Sequence, residues 1–327
     1  MSNKKREMQN FVVKEVGSFH VGGQEIVLSG LSTFEVTWVP GGFPVFIDPN
    51  GGYECFQMYV QYVKLAEPTT KYPLLMWHGG GLTGVTWETK PDGAPGFQQR
   101  FLEAGNDVYL SDAVERGRAS WARYPEINKG EPLWRPKSQA WENFRIGPKF
   151  DPDPTKRQPY EDCKFPYECF DQFCKQSVPR FPSAEAEAFA GYRSYMDTYF
   201  DEGCVIMAHS QGAAFAYDAA LNHPEKVKAL ILIEPSPTPT DQSMIEKMKD
   251  IPLIYIFGDV KIDYWKTIRQ KQLDFSGKLK AQGNDVTWID LPEVGIKGNT
   301  HMLMMDTNSD DVAAMIVKWM KEKNLYK

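Results

Sequence analysis

The stretch that decides the fold is Val205-Ile206-Met207-Ala208-His209-Ser210-Gln211-Gly212-Ala213-Ala214. An apolar run typical of a buried strand leads into Ala-His-Ser-Gln-Gly, and small residues typical of a helix follow. This order matches a G-x-S-x-G nucleophile elbow, with Ala208 in place of the first glycine. The elbow needs small residues on both sides of the serine because the turn is tight and strained. We predict that Ser210 projects a nucleophilic hydroxyl above the C-terminal edge of a sheet. The alternative is a serine that only caps the following helix.

The rest of the chain alternates between short apolar runs and helical patterns, which predicts a mostly parallel, doubly wound α/β sheet covered on both faces. The predicted strands of this part are Pro73–Trp77, Asp107–Leu110, Cys204–Ala208, Ala229–Ile233, Pro252–Phe257 and Val286–Ile289. The predicted helices are Gly96–Ala104, Ala184–Phe200, Gln211–Asn222, Gln242–Lys249, Tyr264–Gln282 and Asp310–Lys323. Three N-terminal strands, at Gln24–Leu28, Phe34–Val39 and Phe56–Val63, are expected to run antiparallel along one edge.

Residues from Ala113 to Pro182 interrupt this alternation. They contain no clear strand and are rich in proline and in Trp, Tyr and Phe. So long an irregular segment is unusual in a compact domain unless it has a function, and so many aromatic side chains are costly to leave in water. We therefore predict a cap insertion at residues 113–182, over a core formed by residues 1–112 and 183–327. The alternative is a poorly packed surface loop.

Charge and composition exclude several classes of protein. The 327 residues carry 37 Lys and Arg against 43 Asp and Glu, a net charge of −6, so we expect no nucleic-acid partner. No run approaches the roughly 20 apolar residues of a membrane anchor. The basic start MSNKKREMQNF lacks the apolar run of a signal peptide, which favours a cytoplasmic location, or secretion if the terminus is processed. Five cysteines without a CxxC pair indicate no zinc site and favour reduced thiols, with one local disulfide among Cys163, Cys169 and Cys174 as the alternative.

A serine needs an adjacent base, and His301 is the candidate. It lies in a loop between the last predicted strand and the terminal helix, whereas the other four histidines fall in other motifs or in unsuitable places. Two carboxylates at strand ends are candidates for the acid that orients the imidazole: Glu234, after Ala229–Ile233, and Asp259, after Pro252–Phe257. The spacing of the residues does not choose between them.

A second glycine-rich motif, His78-Gly79-Gly80-Gly81, directly follows a predicted strand. Glycines there let backbone N–H groups approach a developing oxyanion without a Cβ in the way, as in the oxyanion loops of esterases and lipases. We predict the N–H groups of Gln211 and Gly80 as the donors, with Gly81 as the alternative second donor. A glycine-rich structural turn is the other interpretation.

Together these motifs resemble the α/β-hydrolase superfamily and, more narrowly, bacterial carboxylesterases with a Ser-His-Glu triad whose acid follows the sixth strand. The resemblance is carried by the motifs at 17–23, 78–93, 208–212, 234–235, 257–259 and 298–302. It implies an α/β-hydrolase fold with Glu234 as the acid and Asp259 as a supporting residue. The elbow departs from the G-x-S-x-G pattern at Ala208.

The predicted function is hydrolysis of a small carboxylic ester, apolar or aromatic, through an acyl-enzyme that needs no cofactor or metal. Lactonase or amidase activity with the same triad is an alternative, and a non-catalytic ligand receptor is another. A homodimer is left open. We expect the pocket to be walled by residues of the cap and residues near the triad, namely Trp87, Trp121, Tyr124, Trp141 and Met302.

Overall fold

A computed structural model describes residues 9–239 and 243–327. Its strands are β1 (Val13–Leu28), β2 (Phe34–Val36), β3 (Val45–Ile47), β4 (Gly51–Leu65), β5 (Leu74–Trp77), β6 (Val108–Asp112), β7 (Cys204–His209), β8 (Val227–Ile233), β9 (Leu253–Phe257) and β10 (Val286–Asp290). Eight of them form one sheet in the order β1-β4-β6-β5-β7-β8-β9-β10. The pairs from β6 through β10 are parallel, which confirms the predicted α/β sheet.

The central strands are buried along their whole length. All residues of β5, β7 and β9 are shielded from solvent, as expected for a parallel sheet covered on both faces. Strand β7 lies between β5 and β8, with Ala208 opposite Trp77 on one side and Leu232 on the other. Because β5, β7 and β8 are parallel neighbours, the segments that follow them leave the sheet at the same edge.

The N-terminal edge is antiparallel, as predicted, but its strands are much longer than the sequence pattern indicated. Strand β1 pairs with β4 from Val13 to Leu28, and β4 also pairs antiparallel with β6. The middle predicted strand, Phe34–Val39, is shortened to β2 and pairs with β3 in a separate two-stranded sheet, so its place in the main edge was predicted wrongly. Strands β2 and β3 both lie in the segment that connects β1 to β4. They pair with each other, so β2 is not part of the main sheet.

Helices cover both faces of the sheet. Within the described ranges they are α1 (Val85–Glu88), α2 (Phe97–Glu103), α3 (Lys137–Asn143), α4 (Phe170–Cys174), α5 (Glu185–Thr198), α6 (Gly212–Asn222), α7 (Ser243–Lys247), α8 (Asp263–Ala281) and α9 (Ser309–Glu322). Each helix predicted from the sequence has a counterpart. The predicted helix at Gln242–Lys249 corresponds to α7, and its first residue lies outside the described residues.

Residues 113–182 contain no named strand and only short helical segments, among them α3 and α4. Their aromatic side chains do not form a loose surface loop. Trp141, Phe144, Phe165, Phe170 and Phe173 are buried in the same hydrophobic cluster as the apolar side chains of β5 and α9. The segment is therefore packed onto the main core, which accounts for its aromatic content. The boundaries of the predicted cap stay a prediction.

Two further expectations concern targeting and redox state. No helix among the described residues is long and apolar enough to cross a membrane. Residues 1–8, which carry most of the basic start and open the predicted core, lie outside the described ranges, and the cellular location stays a prediction. All five cysteines are free thiols, and burial raises the pKa of Cys163 to about 12.

Candidate active site

Ser210 lies in the turn between β7 and α6 and has a φ of 51°, in the left-handed region that non-glycine residues rarely adopt. Its N–H donates to the carbonyl of Ile233, at 3.1 Å, which fixes the turn against β8. A Cβ at Gly212 would lie 2.7 Å from the carbonyl oxygen of Trp77, and one at Gly79 would lie 3.1 Å from Cβ of Ser210. Glycine at both positions therefore lets β5 and its loop pack closely against the elbow.

His301, which lines the same cavity as Ser210, contacts Glu234. Nδ1 of His301 lies 3.2 Å from Oε2 of Glu234, and both side chains are buried. The other oxygen of Glu234, Oε1, accepts from the backbone N–H of Gly258 at 2.6 Å. Because an ionised carboxylate can only accept, Nδ1 of His301 carries the proton and Nε2 is left as the basic nitrogen.

Arg145, which sequence analysis missed, is the main charge partner of Glu234. Its guanidinium binds both carboxylate oxygens, at 2.6 and 3.0 Å, and neither side chain is accessible to solvent. Its backbone also has a positive φ, of 64°, and its guanidinium lies 5.4 Å from the centre of the Trp265 ring. No sequence signal marks it, because it is one arginine in an irregular segment that lies 89 positions from its partner.

The charges around this pair set its protonation. Burial by itself raises the pKa of Glu234, but the positive charge of Arg145 and the hydrogen bond from His301 lower it to about 2. Burial lowers the pKa of His301 to about 4, although Glu234 opposes this change. At neutral pH the structure therefore holds an ionised carboxylate against a neutral imidazole, the pairing of a general base and its orienting acid.

Asp259, the alternative acid, does not contact the imidazole. Its carboxylate accepts from the backbone N–H groups of Gly298 and Asn299, and its own N–H donates to the carbonyl of Asn299 at 3.0 Å. Asp259 therefore supports the loop that carries His301, while Glu234 makes the direct contact with the ring.

Two other residues missed by sequence analysis hold the same loop. The buried carboxylate of Asp306 accepts from the N–H and the hydroxyl of Thr300, at 2.8 and 2.7 Å, and from the side chain of Asn299. Nε2 of His209 lies 2.9 Å from the carbonyl of His301, and because a carbonyl only accepts, this nitrogen is the donor. His301 is thus fixed through its own backbone and through the residues before it.

The predicted oxyanion loop lies beside the elbow. Gly80 and Gln211 line the same cavity as Ser210, whereas Gly81 is not among the residues that line it. The carbonyl of Gly81 instead accepts from the N–H of Val178, at 3.1 Å. His78 fixes the start of the loop, because its Nδ1 donates to the carbonyl of Gly79 and its Nε2 accepts from Ala113.

The cavity at this edge has a volume of about 300 Å³ and contains both Ser210 and His301. Its other walls are aliphatic, aromatic, polar and cationic: Leu82, Arg135, Asn143, Phe144, Arg180, His209, Ser236, Tyr264 and Trp265, beside Gly80 and Gln211. Nε1 of Trp265 donates to the carbonyl of Asn143 at 2.7 Å, which ties α8 to the end of α3.

The five side chains predicted as pocket walls lie elsewhere, so that prediction is wrong for this cavity. Trp87, Trp141 and Met302 are fully buried in the core. Trp121 packs edge-on against Phe181, and Tyr124 lies against Tyr53. The aromatic composition indicated burial correctly, but hydrophobicity by itself does not distinguish core positions from cavity walls.

Comparisons with known proteins agree with this architecture. No family model matches the chain. The probable secreted lipase phiG of Fungal sp. (strain ATCC 74256) is 25% identical over 343 aligned positions, which span 85% of this chain and 89% of that protein. A solved structure of a novel bacterial esterase is 26% identical, with a TM-score of 0.83, and the match covers 98% of this chain and 99% of the other.

These likenesses extend over most of the chain, and the sheet is mostly parallel, as predicted. The α/β-hydrolase fold predicted from the motifs is therefore confirmed. Both relatives are described as enzymes of one class, an esterase and a lipase, and the chain groups with these carboxylic ester hydrolases.

Proposed function

We propose that this α/β-hydrolase cleaves carboxylic esters through an acyl-enzyme formed on Ser210. The observation that carries the proposal is the buried, ionised Glu234 held against Nδ1 of His301, with His301 and Ser210 in one cavity. Nε2 of His301 takes the serine proton, and the serine oxygen bonds to the ester carbonyl carbon. The bond to the alcohol then breaks, and the alcohol leaves with that proton. A water molecule, deprotonated by His301, releases the carboxylic acid in the same way.

The charge on the reacting oxygen needs hydrogen-bond donors that are already in position. We assign them to the backbone N–H groups of Gln211, at the start of α6, and of Gly80, both of which line the cavity. The N-terminus of α6 adds a favourable dipole. Loss of one such donor typically costs about 3 kcal/mol of transition-state stabilisation. Gly81 is the less favoured donor because it does not line the cavity.

The cavity walls support a small ester with an apolar or aromatic part. Phe144, Tyr264 and Trp265 supply flat apolar surface around Ser210. A volume of about 300 Å³ is at the lower end of ordinary ligand sites, which favours a short acyl chain. We further propose that residues 113–182 act as the cap that selects this substrate, because Asn143, Phe144 and both arginines of the cavity belong to them.

The test combines an activity panel with an active-serine probe. The panel contains p-nitrophenyl esters of increasing acyl length, with a lactone and an anilide for comparison. We expect ester hydrolysis to fall by about 10⁴-fold or more in Ser210→Ala. A fluorophosphonate is expected to label the parent but not this variant.

Ser236→Ala provides the matched control, because Ser236 is a second hydroxyl in the same cavity. Fluorophosphonate labelling is expected to persist in this variant. Undiminished ester hydrolysis in Ser210→Ala would refute the assignment of the nucleophile. A parent protein that neither reacts with the probe nor cleaves any compound of the panel would favour a ligand receptor instead.

A further inference from the structure

Two arginines line the cavity around Ser210, although the overall charge of the chain is negative. Arg135 and Arg180 both belong to the irregular segment 113–182, and among the described residues no carboxylate lines the cavity. A small, partly apolar cavity for a purely neutral ester has no need of two guanidinium groups. Their presence therefore points to a property of the substrate that the triad does not explain.

The fold brings the two arginines together through a short backbone bridge. The N–H of Leu133 donates to the carbonyl of Arg180, at 2.7 Å, and the N–H of Arg180 donates back to Leu133, at 3.0 Å. Two residues before Arg180, the N–H of Val178 donates to the carbonyl of Gly81. The backbone of Arg180 is thus tied to Leu133, two residues before Arg135, and through Val178 to the proposed oxyanion loop, which places both arginines beside Ser210.

Their positions flank the reacting centre. A Cβ at Gly80 would lie 3.6 Å from Nη1 of Arg180, so this guanidinium lies beside the proposed oxyanion donors. The guanidinium of Arg135 lies 4.7 Å from the centre of the Phe144 ring, which itself stacks on the imidazole of His301. One arginine therefore lies on the serine side of the cavity and the other on the histidine side.

Little negative charge in the protein balances these cations. Across residues 9–239 and 243–327, Arg135 has no ion pair, and Arg180 has one at 3.8 Å, to a half-exposed Glu185. Burial, and then the charge of Arg180, lower the pKa of Arg135. A third arginine, Arg116, lies next to Arg180 in an adjoining small cavity that Glu115 and Glu185 also line, and its buried Nη1 has no hydrogen-bond partner in the described part of the chain.

We propose that the substrate is an ester that also carries a carboxylate, and that Arg135 and Arg180 bind this carboxylate beside Ser210. The inference rests on the proposed function and adds a charge requirement to it. Guanidinium groups bind carboxylates with paired N–H donors, and in a partly desolvated cavity such bonds are stronger than those between neutral groups. An anion there also relieves the repulsion among the three neighbouring arginines.

The carboxylate can belong to either half of the ester, and two matched pairs of substrates distinguish the halves. For the acyl half, mono-p-nitrophenyl glutarate is compared with its methyl ester, which has nearly the same shape but no charge. For the alcohol half, p-carboxyphenyl butyrate is compared with the compound in which its carboxyl group is a methyl ester. The enzymatic rate for each compound is divided by the rate of uncatalysed hydrolysis of the same compound. We expect kcat/KM to be about tenfold or more higher for the charged member of one pair.

The variants test whether the arginines cause this preference. In Arg135→Gln combined with Arg180→Gln, the charged-to-neutral ratio of kcat/KM is expected to fall to about one. Arg123→Gln is the control, because it removes one exposed positive charge from the same segment, outside the cavity. The control is expected to keep the ratio of the parent, since the preference depends on position and not on net charge.

A measurement on the unaltered protein guards against variants that do not fold. Glutarate is expected to inhibit hydrolysis of the neutral glutarate diester competitively, and glutaramide, which is uncharged, is expected to inhibit far less. Ratios near one for both substrate pairs, together with equal inhibition by the two compounds, would overturn the carboxylate site. Failure to cleave any of the four esters would instead overturn the proposed function itself.

Discussion

Replacing Arg145 by methionine is expected to lower the free energy of unfolding by about 3 kcal/mol near neutral pH, because it leaves a buried carboxylate without its cation. Glu234 loses its two bonds to the guanidinium, at 2.6 and 3.0 Å, but keeps those to Gly258 and His301. Breaking a buried ion pair typically costs 3–5 kcal/mol, and the two remaining bonds put this case at the lower end of that range.

The loss is expected to depend on pH in a direction fixed by the pKa of Glu234. In the parent this pKa is lowered to about 2, so the ionised carboxylate stabilises the fold above its unfolded pKa of about 4.3, and the contribution is lost as the pH falls toward about 2. Without Arg145 burial dominates, the pKa of Glu234 rises, and ionisation disfavours the folded state. The difference between parent and variant is therefore larger at about pH 8 than at about pH 5.

Urea unfolding curves of parent and variant at these two pH values measure the effect. Arg193→Met is the matched control, because Arg193 makes the same two-bond contact with Asp218, at 2.7 and 2.8 Å, with its own side chain half exposed. The side chain of Asp218 is 12% exposed, but because the guanidinium of Arg193 stays half in solvent, we expect this pair to contribute only about 1 kcal/mol or less, so little loss is expected there. A loss in Arg145→Met below about 1 kcal/mol and equal at both pH values would refute the proposed role of the buried charge.

Three further predictions concern the site and the scaffold. Activity needs unprotonated His301, and burial lowers the pKa of this imidazole to about 4. The value of kcat/KM for a neutral ester is therefore expected to fall only well below pH 6.5. A pH profile whose acid limb is centred at 6.5 or above would contradict this. Glu234→Gln is expected to lower kcat by about 10³–10⁴-fold and Asp259→Asn by about tenfold or less, and a larger loss in Asp259→Asn than in Glu234→Gln would reassign the acid to Asp259. Gly277→Ala in α8 is expected to raise the free energy of unfolding by about 0.5–1 kcal/mol, because a Cβ there meets no atom of the described residues within 4 Å. A loss of stability in thermal unfolding would disprove it.

The sequence predicted the sheet and the elbow because both depend on local patterns. Apolar runs with turn residues at their ends mark buried strands, and the small residues around Ser210 mark the tight turn. The long N-terminal strands were underestimated because β1 alternates exposed and buried residues only weakly. The shift of β2 into its own hairpin depends on pairing between strands, which no short pattern reveals.

The cavity walls were the weakest part of the prediction, for a physical reason. Trp141 and Phe144 lie three positions apart in an aromatic-rich stretch, yet one fills the core and the other lines the cavity. Placing a ring in the core and placing one in the cavity wall both remove apolar surface from water, so amino-acid composition does not distinguish the two positions. Only the way the segment folds back on the sheet decides which ring faces Ser210.

The sequence by itself determined the α/β class, the tight strand–helix turn at Ser210 and the candidates Ser210 and His301, because these depend on residue types at short spacing. The tertiary structure decided which carboxylate contacts His301 and supplied the two features that no motif carried: Arg145 against Glu234, and the arginine pair in the cavity. These contacts join residues far apart in the chain. Their energies depend on burial and on distances of a few ångströms, which arise only when the sheet edge and the segment 113–182 come together.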